Sequence, residues 1–307
     1  MNQTSNQHKQ EVVTYYEDTG LDYGEWSKEF NMHFGYYKFP MNPFKREPML
    51  EEMNKQVFGY LKLSAEDKLV YDLGCGLAAP CRSFTIKFPG KKIKGVTLVK
   101  WQIDKANSIN TERNLSDNIE LINADYTALP FEDNSADGVY ALESSCHCEG
   151  LNKEAVIKEM MRVLKPGKRF VIVDGFIKSN PDKFSSLLRY CYKEICAGWA
   201  LPSFPQLNLV QDVLNKYGAT DVEVKDFSYR VAPSVLHAPM AVIYFAVKKM
   251  IGGERLNKVR IGHLKACFWG LILGMHQHRF SYCLITGIKN TSTMSLDAER
   301  FIALNKT

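Results

Sequence analysis

The sequence predicts an α/β fold, a seven-stranded and mostly parallel sheet with helices on both faces, preceded by an N-terminal aromatic arm and carrying a helical insertion before the last strand. Three observations predict it. From Leu69 to Asp174, short β-branched and aromatic runs alternate with amphipathic stretches, the pattern of parallel strands joined by helical crossovers. The first run ends in Asp72, with Gly74 and Gly76 two apart behind it, which is how a buried strand turns into a helix beneath a nucleotide-like ligand. Between the last two strands lie roughly fifty residues, where an ordinary connection takes a few.

The chain divides into an arm with lid helices over 1–65, a sheet domain over 66–289 with a substrate-cap insertion at about 228–280, and a polar tail over 290–307. Between Glu11 and Phe44 aromatics are dense, among them Tyr15, Tyr16, Tyr23, Trp26, Phe34 and Tyr37. Ahead of the first strand, such density reads equally as an arm that closes over a pocket and as an anchor of the N-terminus to the core. Read as an arm, it is expected to cover the substrate and to leave the site of the nucleotide-like ligand intact when removed. Residues 47–63 follow as an amphipathic helix, with Pro48 suited to its first turn.

Strands over 69–73, 92–98, 119–123, 137–142 and 169–174 then alternate with helices over 81–88, 99–114 and 153–164, the last stopping before Pro166-Gly167. Beyond Asp174 the pattern loosens into a helix over 183–197, a Pro-rich break over 200–207, a helix over 208–217, and strands over 221–227 and 282–288. The insertion holds two strongly apolar stretches, 235–247 and 266–275, each short of the ~20 uninterrupted apolar residues that span a bilayer. They read as walls of an apolar substrate chamber, with a membrane-touching surface as the runner-up and ordinary core as the plainest alternative.

Composition sets the outer limits. With 45% hydrophobic and 24% charged residues the chain can bury a sizeable core as an ordinary globular protein. A net charge of +5, with Lys and Arg scattered, favours a solvated surface over nucleic-acid binding. The first ten residues are polar and lack the apolar core of a secretion signal, so the eight cysteines are expected as thiols in the cytoplasm. Cys146-His147-Cys148 has no second ligand pair of the kind zinc sites use, and no metal is expected.

The glycine turn narrows the ligand. No Gly-Lys-Ser/Thr follows it, which argues against a nucleoside triphosphate, and Ala78, Ala79 and Pro80 stand where a dinucleotide site would place a third glycine. S-adenosylmethionine (SAM), with one nucleoside and no pyrophosphate, fits better. Asp72, Gly74, Cys75 and Gly76 would form its floor, with Glu143 at the end of the fourth strand. Asp125 and Tyr126, after the third strand, stand where the adenine would lie. The acid that would hold the ribose hydroxyls, about twenty residues past the glycines, is missing; Thr97 and Gln102 are the nearest polar substitutes.

Four stretches, Asp72-Leu-Gly-Cys-Gly-Leu-Ala-Ala-Pro, Gly95-Val-Thr-Leu, Tyr140-Ala-Leu-Glu-Ser-Ser-Cys-His and Val163-Leu-Lys-Pro-Gly, together resemble the class I methyltransferase group of sterol 24-C-methyltransferases and tocopherol methyltransferases. The resemblance covers about Tyr15 to Asp174. The stretch from Tyr140 to His147 is similar to the sterol enzymes, while Trp199-Ala-Leu-Pro and Val231-Ala-Pro resemble the tocopherol side. The Tyr-Glu-Tyr-Gly-Trp of sterol enzymes is present only in diluted form, as Tyr16-Glu17 and Tyr23-Gly24-Glu25-Trp26. The resemblance implies a Rossmann-like SAM-dependent methyltransferase of a hydrophobic small molecule, first of all C-methylation of an isoprenoid or sterol-type alkene. O- or N-methylation of an aromatic or alkaloid-like metabolite is the alternative, and a non-catalytic lipid-binding protein the second. On the first reading Glu143 and His147 are the proton acceptors, with Tyr23 next, and Tyr16, Trp26, His33 and Trp199 touch substrate. Besides the hydrophobic substrate, a transient contact with a membrane surface is the partner this reading allows, with the oligomeric state left open.

Overall fold

The computed structural model describes residues 2–253 and 256–291, so most of the tail expected over 290–307 lies outside the described residues. Helix α1 (Asn2–Thr19) and the short α2 (Tyr23–Trp26) lead to α3 (Arg46–Leu61). The sheet domain runs β1 (Leu69–Leu73), α4 (Ala79–Lys87), β2 (Lys92–Thr97), α5 (Lys100–Glu112), β3 (Ile119–Asn123), β4 (Ala136–Leu142), α6 (Glu154–Val163) and β5 (Leu164–Ile177). It closes with α7 (Ser186–Gly198), α8 (Leu207–Lys216), β6 (Ala219–Asp226), α9 (Ser228–Ile251), α10 (Lys258–Met275) and β7 (Phe280–Lys289). Seven strands form one sheet in the order β3-β2-β1-β4-β5-β7-β6, in which β7 alone runs antiparallel to both its neighbours.

The central strands are apolar on both sides because both sides are covered, and every residue of β4 is buried. One face packs Val139, Ile172 and Phe170 against Ile157 and Met160 of α6 and Val210 and Leu214 of α8. The other packs Val70 and Tyr140 against Val57 and Phe58 of α3, Phe84 of α4 and Val231 of α9. Chain order reverses between β1 and β4, so their carboxyl ends, Gly74 and Glu143, flank the crevice where ligands of such sheets bind.

Boundaries differ from the sequence reading in two instructive places. Helix α1 begins at Asn2, nine residues before the aromatic arm was expected to start. Its first half is polar and carries no apolar period to read, whereas Val12 and Tyr15 further along are buried. Strand β5 runs from Leu164 to Ile177 through Pro166-Gly167, because Gly167 at φ +76° and a register shift absorb the turn inside the strand.

Of the inserted helices, α9 reaches the sheet through its first turns, where Val231 and Val235 pack into the second of these cores. α10 lies along α7, where Gly198 and Gly262 meet so closely that a Cβ on Gly198 would fall 2.4 Å from the Gly262 carbonyl oxygen. Together with α9 and the arm they enclose space above the carboxyl ends of β4 and β5.

Candidate active site

Two cavities meet over the strand ends. The smaller, about 160 Å³, lies on the glycine turn and is lined by Asp72, Gly74, Cys75, Gly76, Thr97, Gln102, Asp125 and Tyr126. The larger, about 470 Å³, is walled by Tyr15, Tyr23, Trp26 and Trp199 together with the inner sides of α9 and α10. Tyr16, Met32, His33, Glu143 and His147 line both.

The floor is held by backbone. Gly74 and Cys75 both donate their N–H to the Val96 carbonyl, at 2.9 Å each, and Gly74 stands at φ +93°. Its missing Cβ spares Ser144: a side chain there would start 2.3 Å from the Ser144 Cβ. Gly74 therefore makes room for the turn after β4, where the sequence suggested room for ligand. A Cβ on Gly76 would meet the Met32 sulfur of the arm at 2.8 Å. Asp72 is buried, with its Oδ2 accepting from the Tyr140 hydroxyl at 2.8 Å, and burial pushes its carboxyl up to about 7.

Thr97 and Gln102 act as a pair. The Thr97 hydroxyl accepts from Val99 N–H and donates to Gln102 Oε1 at 2.8 Å. That leaves Gln102 Nε2 buried with no partner, an uncommitted donor on the wall of the smaller cavity. Asp125 accepts from Thr127 N–H and pairs with Lys9 of α1 at 2.7 Å. Burial pushes its carboxyl up, but those two partners outweigh it and hold it below the usual range. Tyr126 donates to the Ser144 carbonyl, 2.9 Å away, which ties the third and fourth strand ends together. A buried spare donor for a ribose hydroxyl and an ionised acceptor for an adenine amino group are what SAM requires, so the residues present fit it.

Lys9, His8 and Val12 of α1 line this smaller cavity too. The arm therefore roofs the donor site as well as the chamber, contrary to the expectation that it covers substrate alone. The reason is the unread first half of α1, which carries the arm past the chamber to Asp125.

Glu143 sits at φ +48°, its N–H bonded to the Val173 carbonyl. Its Oε1 accepts from Phe34 N–H at 2.6 Å and from the Tyr282 hydroxyl at 2.5 Å. Burial pushes the carboxyl up to about 8 against the pull of those two donors. His147 is engaged at both ring nitrogens: Nδ1 lies 3.3 Å from the Ala200 carbonyl, and Tyr16 donates to Nε2 at 3.0 Å. Burial takes this imidazole down to about 4, so it is neutral at physiological pH. As a proton acceptor it can act only through Tyr16, which places Glu143 ahead of it.

The expected substrate contacts separate in the same way. Trp199 and Tyr23 face the chamber, and Tyr23 lies 3.5 Å from Tyr15, whose hydroxyl reaches His263 of α10 at 2.6 Å. Trp26 also lines it, yet one ring face carries the Arg46 guanidinium at 4.4 Å and is not open to a second cation. His33 borders both cavities, but its nitrogens are spent on the Phe34 carbonyl and the Asn31 side chain. It holds the arm's loop in shape and leaves only its ring, not its nitrogens, for contact with a ligand. Cys146 and Cys148 are buried thiols, and among the described residues no group of three or more His, Cys, Asp or Glu is placed to hold a metal.

Tyr282, His263 and Asp174 were not singled out from the sequence. Asp174, at the end of β5, accepts from Ser145 Oγ at 2.7 Å and Cys146 N–H at 2.9 Å and so fixes the loop that presents His147. Tyr282 had a readable signal: β7 runs antiparallel, so its first residues must lie at the carboxyl ends of the parallel strands, and Tyr282 pairs with Gly175.

Residues 71–172 match the model of a methyltransferase domain. The sterol 24-C-methyltransferase of Kluyveromyces lactis is 28% identical over 74% of this chain and 57% of its own length, so the chain spans less than two thirds of that relative. Among solved structures, a sarcosine dimethylglycine methyltransferase from Galdieria sulphuraria superposes with TM-score 0.72 at 18% identity, covering 89% of this chain and 98% of that one. Geranyl diphosphate C-methyltransferase from Streptomyces coelicolor superposes with TM-score 0.68 at 15% identity, covering 92% and 97%. At these identities the two structures speak for the fold.

Proposed function

We propose that this chain, which carries a class I SAM-dependent methyltransferase domain of the sterol methyltransferase group, methylates a carbon of a hydrophobic isoprenoid or sterol-type alkene. One observation carries the reading: Glu143, a buried carboxyl pushed up to about 8, stands in the wall shared by the smaller cavity on the glycine turn and a larger apolar one.

When bound, SAM supplies a methyl group on a positively charged sulfur. Thr97, Gln102 and Asp125 would hold its ribose and adenine, and the glycine turn its backbone side. Transfer is an in-line displacement, so the chain's contribution is alignment and electrostatics. The alkene's π pair forms the new carbon–carbon bond, and the cation left on the substrate must lose a proton. Tyr16, Tyr23 and Tyr282 line the largely apolar chamber, where an aromatic wall can stabilise a cation. The Glu143 carboxylate takes the proton; Phe34 N–H and Tyr282 hold it in place. A carboxyl near neutrality suits this task better than an ordinary one, because it is a stronger base yet still partly ionised. The activity is proposed for the cytoplasm, on a substrate that membranes store.

Methyl-labelled SAM incubated with sterol and isoprenoid alkenes tests the reading. Label is expected in an apolar product with one new carbon–carbon bond. Label found only on oxygen or nitrogen of phenols or amines would replace C-methylation by the alternative reaction.

A further inference from the structure

Helix α9 is apolar on two opposite sides. Its inner residues Val231, Ala238, Val242 and Phe245 are buried and line the chamber. Its outer residues Met240, Ile243, Tyr244, Val247, Met250 and Ile251 follow at helical spacing and are exposed, Met240 at 68%, Met250 at 73% and Ile251 at 83%. On α10, Ile261, Phe268 and Met275 are exposed at intervals of seven. A contiguous exposed apolar surface of this kind marks contact with another phase or partner.

Charge selects the partner. Residues 228–275 hold seven Lys and Arg against one acid, Glu254. Lys248 and Arg260 reach back to Glu25 and Asp22 of the arm, while Lys258 and Lys265 are exposed. Apolar side chains rimmed by cations, with acids nearly absent, complement an anionic lipid surface. By length and composition α9 could cross a bilayer, but its inner row is packed into the protein, which leaves it to lie flat.

We propose that the outer face of α9 and α10 docks on an anionic bilayer, with the chamber directly behind the docked helix. The hand-off of substrate rests on the methyltransferase reading: an apolar molecule would enter from the lipid without crossing water. The docking itself needs neither donor nor turnover.

Flotation with vesicles of phosphatidylcholine, with and without phosphatidylglycerol, tests it in the absence of SAM and substrate. Binding is expected to the phosphatidylglycerol vesicles. The triple variant M240E/Y244E/M250E should weaken it at least ~10-fold, and raised salt should weaken it as well. The variant's thermal unfolding and S-adenosylhomocysteine affinity should match the parent, since none of the three residues lines either cavity. No binding to either vesicle, equal binding by the variant, or a dimer in solution that the variant dissociates would each overturn the proposal, the last by giving the face to a second copy. Methyl transfer in detergent without vesicle binding sinks the docking alone; vesicle binding without transfer sinks the methyltransferase reading alone.

Discussion

The donor cavity and the chamber share a wall but are built by opposite means. The donor floor comes from backbone at two neighbouring strand ends, and its key atoms, Gly74 N–H, Cys75 N–H and Glu143 N–H, bond to adjoining strands. The chamber comes from side chains on the arm, α7, α9, α10 and β7, joined by contacts such as Tyr15 with His263 and Tyr16 with His147. A backbone-built site tolerates little change in shape and is set by the sheet. A side-chain-built one can be re-lined while the fold stays, so on the proposed reading binding of the methyl donor belongs to the first region and choice of the second ligand to the second.

The harshest way to break that contrast is Gly74→Val. At φ +93°, with a Cβ forced to 2.3 Å from Ser144, the turn carrying Glu143 must move. S-adenosylhomocysteine affinity should fall at least ~100-fold by calorimetry, with a lower unfolding temperature. Gly76→Ala, at φ +51°, also strains the backbone but meets only the flexible Met32 side chain at its sulfur, and should cost less. Equal losses would show that the floor is not the rigid half.

Next comes Glu143→Gln, which should lower kcat by ~10²–10⁴ and change the product mixture, because the cation would lose its proton elsewhere. The sign of the pH dependence follows from the raised carboxyl. With Glu143 near 8 in the free protein, the base form is gained as pH rises, so kcat/KM should climb about tenfold per unit below that value and level off above it. His147, near 4, stays neutral across this range and adds no second limb. A flat wild-type profile between pH 6 and about 9 would remove Glu143 as the base.

A smaller effect sharpens the donor side: Gln102→Ala removes the spare donor and should weaken S-adenosylhomocysteine about 3–10-fold, leaving kcat nearly unchanged. The smallest concerns the chamber. Tyr23→Phe keeps the ring and drops a hydroxyl 3.5 Å from Tyr15, so kcat/KM should fall by no more than a few-fold. A larger loss would mean that this hydroxyl touches the reacting carbon's surroundings.

The same contrast explains what the sequence made legible. The alternation of strands and helices, the glycine turn, Asp125, Thr97 and Gln102 could be placed because each is fixed by neighbours within a few residues and by the rules of parallel sheets. The partners of Glu143 could not, since Phe34 and Tyr282 are 109 and 139 residues away and meet it only through the fold. His33 lies at the cavities as expected, but a sequence does not show that its nitrogens are already bonded to the Phe34 carbonyl and the Asn31 side chain. Helix α1 before Glu11 was missed for a different reason: a polar helix held by Lys9 to Asp125 and a few buried contacts has no hydrophobic rhythm.

That helix couples the two cavities. Residues of α1 line both cavities, and its contacts of Lys9 with Asp125, Tyr16 with His147 and Tyr15 with His263 tie the two together. On the methyltransferase reading, we expect release of both products to wait on a loosening of these contacts, checked by comparing single-turnover and steady-state rates. The kinetic signature is a burst of first-turnover product followed by a slower steady state, with both products released in the same slow phase.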